Sequence, residues 1–360
     1  MSKQIYINGR FLLQTPTGVQ RYAYEMCAAL HKCGVDFTLI CPKKGTIEEA
    51  YNISLFKIQR YGVGTSHLWE QLVLPFFFIG KKNYILINFT GLGSIAVPNK
   101  IMTIHDLSFL VCRQWFSQAY YYFYKPMTWM AAKTSKHLIT VSQFSKQEIK
   151  RFYPFIKDDK ISVIYGAVDS TRFHRTPSIP SSENPFALAV SSIDPRKNFS
   201  MLVKAFKGIE GCQLYIVGKQ NHVFSQQNGL NEDIPNVKFL GRVSDEELRR
   251  LYNQAVCFIF PSIYEGFGLP LLEAMTCGCP VLASDIPVFR EVCGDAAIYF
   301  NPYDETSIRH SIDYFLSLAN QEQEKLQTAG YERAQRFSWE QSARDIIDFI
   351  NEKMNYNTIS

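Results

Sequence analysis

The residues best suited to chemistry in this 360-residue chain lie between Phe260 and Ala274, in the run FPSIYEGFGLPLLEA. A strand-like segment ends there, a glycine loop follows, and a helix begins. Gly266 and Gly268 let the backbone approach a ligand closely, which makes the amides from Gly266 through Phe267 and Gly268 to Leu269 usable as donors. Pro270 suits the first turn of a helix, whose free N–H groups and dipole favour an anion. A diphosphate is the natural guest. Glu265 projects from the loop and Glu273 from the first turns of the helix, so two carboxylates can flank one bound molecule and accept hydrogen bonds from sugar and ribose hydroxyls. The spacing alone equally suits a Glu273 that offsets the helix dipole and a Glu265 that is solvated surface.

Arg196 and Lys197 follow the first strand-like run of the second half, where paired cations can hold a diphosphate leaving group, although adjacent basic residues after a strand are commonly solvated. Gly18 stands between the first strand and the first helix, where a side chain would obstruct a ligand reaching the helix start, and where a simple turn glycine fits as well. His105 ends the run Ile101 to His105 with Asp106 beside it; a lone histidine at a strand end is commonly structural, with Asp106 fixing its orientation. No Asp-x-Asp occurs in the chain. A carboxylate pair of that kind, able to hold a divalent ion on a bound diphosphate, is therefore missing, and Arg196, Lys197 and the helix start must supply the positive charge. Neither a divalent metal nor any other cofactor is expected. Cys277-Gly278-Cys279 has no second Cys or His pair at ligand spacing and is not read as a metal site.

The elements that position these residues alternate. Gln4 to Asn8, Val19 to Cys33 and Val35 to Cys41 read as βαβ, with Val19, Tyr22, Ala23, Met26, Leu30 and Cys33 at helical spacing and Gly34 as the stop. Further strand-like runs are Tyr84 to Asn88, Ile101 to His105, Leu138 to Ser142 and Ile161 to Tyr165. After a Pro- and Ser-rich linker at 175–185, a second set begins: Phe186 to Ser191, Gln213 to Val217, Val237 to Leu240, Val256 to Phe260, Pro280 to Ser284 and Ala297 to Phe300. Ser244-Asp245-Glu246-Glu247 reads as a capping box opening a helix to Ala255. The pattern predicts an α/β chain of two Rossmann-like domains with parallel sheets, residues 1–174 and 186–337, with a cleft between them lined by strand carboxyl ends. A last helix at 338–356 is expected to cross back onto the first domain.

Composition narrows the partners. A net charge of +5 lacks the concentrated basic stripe of a nucleic-acid binder, so no nucleic acid is expected. The nine cysteines mostly lie in apolar runs, and the start MSKQIYING lacks the parts of a signal peptide, so a reducing cytoplasm is the expected home. Leu72 to Gly80 (LVLPFFFIG) is too short to span a bilayer and is expected to be buried. The aromatic-rich Trp115 to Trp129 is expected to pack in the core; an acceptor groove or a touch of the membrane interface is the alternative.

YEGFGLPLLEA resembles the Glu-x7-Glu signature of retaining glycosyltransferases of family 4. The resemblance extends over nearly the whole chain through Thr17-Gly18-Val19, Ile104-His105-Asp106-Leu107-Ser108-Phe109, Val141-Ser142-Gln143-Phe144-Ser145-Lys146, Asp194-Pro195-Arg196-Lys197-Asn198 and Phe337-Ser338-Trp339-Glu340. It implies the GT-B fold and transfer of a sugar from a nucleotide-diphosphate sugar with retained anomeric configuration. It also implies a phosphate clamp at Arg196 and Lys197 and a sugar-contacting His105. Val243 and Asp245 match positions that contact the base in mannosyltransferases of the family, a hint of a GDP donor, while Asp245 also belongs to the capping box at the helix start, where acidic residues are favoured in any case. The motif wording resembles bacterial polysaccharide mannosyltransferases, which ranks GDP-mannose first among donors and implies a glycan or lipid-linked glycan as acceptor. Peripheral contact at the inner membrane face would follow. A nucleotide-sugar epimerase and a binding protein without turnover are the rival readings.

Overall fold

The computed structural model describes residues 3–176, 184–218 and 234–354. The chain forms two compact units, one of residues 1–166 with 338–360 and one of residues 167–337. Most of the linker expected at 175–185, and the end of the helix expected at 338–356, lie outside the described residues.

In the first unit the strands are β1 (Gln4–Asn8), β2 (Phe37–Pro42), β3 (Lys57–Tyr61), β4 (Tyr84–Asn88), β5 (Lys100–Ile104), β6 (His137–Thr140) and β7 (Ile161–Val163). They pair in parallel in the order β3-β2-β1-β4-β5-β6-β7. Strands β2, β4, β5 and β6 are buried along their whole length, as a sheet covered on both faces requires. β3 lies at the edge, and its sequence KIQRY carries no apolar run, so the sequence alone did not reveal it. Helix Gly18–Lys32 buries Tyr22, Ala23, Met26, Cys27 and Leu30 on one face. Gly34, at φ 81°, takes the left-handed turn that ends it. Helix Trp339–Met354 belongs to this unit: Ser342 Oγ donates to the Tyr165 carbonyl at 2.8 Å, and the Phe349 ring lies 3.9 Å from that of His137.

Two expectations are corrected here. Leu72 to Gly80 is not simply buried. A π turn (Trp69–Val73) leads into helix Leu74–Phe77, which buries Trp69, Leu74, Phe77 and Phe78 while Leu72, Phe76 and Ile79 face outward. The segment is apolar all round, so its periodicity carried no information about which side is covered. The aromatics of 115–129 are core only in part: Phe116, Tyr121 and Tyr124 pack half-buried against the first unit's core. Most of them lie on helix Gln118–Thr134, which buries only Thr128, Ala131 and Ala132, with Tyr120, Tyr122, Phe123 and Trp129 exposed.

The second unit holds β8 (Phe186–Val190), β9 (Gln213–Val217), β10 (Val237–Gly241), β11 (Cys257–Phe260), β12 (Val281–Ser284) and β13 (Ala297–Phe300), all parallel, in the order β10-β9-β8-β11-β12-β13. Leu202 and Phe206 of helix Phe199–Phe206 and Ile308 and Phe315 of helix Glu305–Ser317 pack with Leu214 and Ile259 in one core. The alternate residues of β11, Phe258 and Phe260, meet the rings of Tyr252 and Phe289. Residues 167–174, which the sequence reading gave to the first domain, belong to this unit. Arg172 Nη1 lies 3.8 Å from Asp245 Oδ2, and the His174 carbonyl accepts from Asn253 Nδ2 at 3.0 Å.

In both sheets the strand order reverses once, between β1 and β4 in one and between β8 and β11 in the other. In open parallel sheets, ligands bind beyond the carboxyl ends of the strands at such a reversal.

Candidate functional site

In the second unit, the chain leaving β8 and the chain leaving β11 meet at that reversal. Asp194 caps a short 3-10 turn, Pro195–Lys197, by accepting from the Arg196 amide at 3.1 Å. Asn198 then takes the left-handed conformation at φ 57°, and its side-chain amide donates to the Pro302 carbonyl at 2.8 Å. These local bonds fix Arg196 and Lys197 at the strand end. The amide of Ile263, in the loop after β11, donates to the Arg196 carbonyl at 3.0 Å and ties the two loops together.

The Lys197 ammonium donates to Glu265 Oε1, and both side chains are about nine-tenths buried. Arg196 Nη1 lies 3.7 Å from the other Glu265 oxygen, and its Nε is 3.7 Å from Asp194 Oδ1. Burial pushes the Lys197 pKa down, the Arg196 charge adds to that, and Glu265 resists it. Two cations share the buried Glu265 carboxylate, with Asp194 beside Arg196, so the cluster gathers two positive and two negative groups. Retaining a buried ion group at a strand end where apolar residues would pack more cheaply points to function.

Beyond Glu265, Gly268 has φ 106°, and a β-carbon there would lie 2.9 Å from Leu271 Cδ1 and 3.1 Å from Phe289 Cε1. Only glycine makes this turn into helix Leu269–Thr276, whose first turn carries Pro270. Phe267 is buried with its ring 5.7 Å from that of Phe337, so it shapes the loop. Glu273 is half-buried, and its Oε2 accepts a hydrogen bond from Tyr252 at 3.2 Å. That tyrosine, on helix Asp245–Gln254, escaped the sequence reading; its position among apolar helix residues carried no sign of its partner.

The same helix begins beside Val243, which is half-buried. Ser244 Oγ caps it by accepting from the Glu247 amide at 3.2 Å, whereas Glu247 directs its carboxylate to Arg250 at 2.6 and 2.9 Å. The reciprocal half of the expected capping box is thus replaced by an ion pair one turn on. Asp245 faces Arg172.

In the first unit, Gly18 opens helix Gly18–Lys32 and is exposed. His105 follows β5 directly, and its Nε2 lies 2.7 Å from the Phe89 carbonyl. A carbonyl only accepts, so Nε2 carries the proton. Burial lowers the His105 pKa against the pull of the Phe89 carbonyl and Asp106. The neutral ring then offers Nδ1 as an acceptor. The Phe89 carbonyl and the Tyr22 ring, edge-on at 5.0 Å, hold the imidazole, while Asp106 accepts from the amide and hydroxyl of Ser108 at 2.9 and 2.7 Å. A second polar group sits past β1, also absent from the sequence reading. Glu70, fully buried, meets Arg10 Nε at 3.0 Å, Asn8 Nδ2 at 2.8 Å and His67 Nδ1 at 3.0 Å.

Comparison with known proteins identifies the family and the fold. Residues 16–172 match the family model described as Glycosyltransferase Family 4, and residues 170–333 match that of Glycosyl transferases group 1. The chain is 38% identical over 218 residues to O-antigen chain mannosyltransferase RfbU of Salmonella typhimurium, a match covering 59% of this chain and 60% of that protein. It is 32% identical over 267 residues to O-antigen chain mannosyltransferase B of Escherichia coli, covering 69% of each. The match thus spans less than two thirds of the first relative. Among solved structures, sucrose-phosphate synthase from Thermosynechococcus elongatus superposes with a TM-score of 0.79 at 19% identity, over 99% of this chain and 100% of that one. At that identity the likeness shows the fold, which is GT-B.

Proposed function

Because this chain belongs to the family-4 glycosyltransferases, we propose that it is a retaining enzyme that moves a hexose, with GDP-mannose the favoured donor, onto a glycan or lipid-linked glycan in surface polysaccharide synthesis. The observation that carries this reading is the Arg196–Lys197–Glu265 cluster beside the Gly268 helix start, at the strand reversal of the second unit.

The donor's diphosphate is held by Arg196, Lys197 and the amides of the Gly266–Leu269 loop, which stabilise the charge that grows as the sugar departs. Glu265 accepts from hydroxyls of the transferred sugar. Glu273, anchored by Tyr252, takes the ribose hydroxyls, and Val243 and Asp245 read the base. His105 offers Nδ1 to a sugar hydroxyl. Gly18 leaves its helix start open for the ligand. The acceptor hydroxyl attacks the anomeric carbon on the face the diphosphate leaves, and its proton passes to the departing phosphate oxygen. No enzyme nucleophile and no divalent metal take part in this scheme. The reaction is placed in the cytoplasm, where nucleotide sugars serve as donors.

A thermal-shift panel of GDP, UDP, ADP and dTDP in EDTA tests the donor directly, since a ligand at 100 times its Kd stabilises the folded state by about 2.7 kcal/mol. GDP should raise the melting temperature selectively. Selective stabilisation by another diphosphate would replace the GDP assignment. Following the products of GDP-mannose by NMR separates transfer from epimerisation and from binding without turnover.

A further inference from the structure

We propose that the first unit docks onto an anionic phospholipid bilayer through the outer face of the segment from Leu68 to Ile79, together with the neighbouring exposed side of helix Gln118–Thr134. This goes beyond the transferase reading and does not depend on the donor.

Leu68, Leu72, Phe76 and Ile79 recur at helical spacing and are 68%, 61%, 63% and 71% exposed. The opposite side of the same segment, with Trp69, Leu74, Phe77 and Phe78, is already in the core. The outer stripe is therefore surplus to folding, and apolar patches of this kind on a folded chain mark an interaction surface. The stripe continues onto the next helix. His67, preceding Leu68, places its Nε2 2.8 Å from the Tyr124 hydroxyl and its ring 5.9 Å from that of Phe123. Trp129 is exposed farther along the same helix.

Charge selects the occupant. Between Tyr61 and Lys136 the acidic residues are Glu70, which is buried, and Asp106, whereas seven lysines and arginines fall in that stretch. Lys81 and Lys82 are exposed just past Ile79, Lys125 and Lys133 along the helix. Lys81 Nζ lies 4.8 Å over the Phe77 ring and Lys133 Nζ 4.7 Å over Trp129. Lysine ammonium groups resting on aromatic rings at the surface suit an apolar layer that lies just below an anionic one. A second copy of the chain fits poorly, because a self-complementary contact would bring the same cations together.

The test is flotation of the full chain with vesicles of phosphatidylethanolamine and phosphatidylglycerol, against vesicles of phosphatidylcholine alone. The wild type should float with the anionic vesicles and far less with the neutral ones. Leu72→Asp/Phe76→Asp and, separately, Lys81→Glu/Lys82→Glu should each lower the apparent partition coefficient by ~10-fold or more. Their circular dichroism and nucleotide-induced melting shift should stay unchanged, which separates loss of docking from loss of the donor site. Should the aspartate pair not fold, the lysine pair carries the test. Equal partitioning of wild type and variants would overturn the proposal, as would wild type that ignores anionic vesicles. A dimer that the aspartate pair dissociates, with no vesicle binding, would also overturn it.

Discussion

Lys197 and Glu265 are charges held where water barely reaches, so each depends on the other. Removing one partner of a buried pair costs roughly 3–5 kcal/mol, because the survivor is left uncompensated, whereas replacing both by apolar groups of like volume is often nearly neutral. Lys197→Met should therefore destabilise the second unit by about that amount in urea unfolding, and Lys197→Met/Glu265→Leu should regain most of it. Transfer activity should stay lost in both, since stability and catalysis draw on the pair for different reasons. Tyr252→Phe removes a single hydrogen bond to Glu273 and should weaken nucleotide binding several-fold, corresponding to about 1 kcal/mol, with kcat little changed. An unaltered KM for donor would separate Tyr252 from the ribose contact. The difference between these residues explains what the sequence could reveal. Arg196, Lys197, Glu265 and Glu273 lie in short local motifs whose residue types announce their chemistry. Tyr252 acquires its role from a partner 21 residues away, and Glu70 adds to its neighbour His67 a partner 62 residues away.

The loop-to-helix turn at Gly268 is where an element depends on one residue. Alanine there combines a left-handed backbone with a β-carbon 2.9 Å from Leu271, so Gly268→Ala should cost roughly 1–3 kcal/mol and shift the first amides of helix Leu269–Thr276. Calorimetric melting with and without GDP checks both effects: a lower melting temperature and a smaller nucleotide-induced rise. Interior strands were legible because burial on both faces demands unbroken apolar runs; Tyr84–Asn88 and Gln213–Val217 have the bounds the sequence predicts. The edge strand Lys57–Tyr61 lacks that demand and left no trace. The Leu72 to Gly80 run was misread for the opposite reason, since a segment apolar on every side gives no phase from which to tell the covered face.

Over the whole molecule, acid should weaken the first unit through His137. Burial lowers the His137 pKa to about 4, helped by Lys353 and Lys160, while its unfolded value is 6.5. The unfolded chain then binds more protons between those values, so stability present above pH 6.5 is lost progressively as pH falls towards about 4, by on the order of 1–3 kcal/mol. His137→Phe keeps a ring against Phe349 and removes the titration; its unfolding free energy should be flatter than that of wild type across this window. An identical slope would show that another group governs the acid response. Glu70 adds a later step: burial raises its pKa, but the hydrogen bond from His67 and the charges of Arg10 and His67 outweigh that and hold it below the usual glutamate range. Its contribution is present above the ordinary carboxylate pKa and disappears only as pH drops through the lowered one.

We propose that Glu265 to Glu273 form one side of a metal-free nucleotide-diphosphate-sugar site. Calorimetric titration of GDP in EDTA into wild type and Glu273→Ala tests it most directly. The account predicts binding by wild type without divalent ions and a ~10- to 100-fold higher Kd for the variant, the loss expected when a ribose-binding carboxylate is removed. Equal affinity of the two proteins, or binding by wild type only when Mg²⁺ is restored, would contradict it.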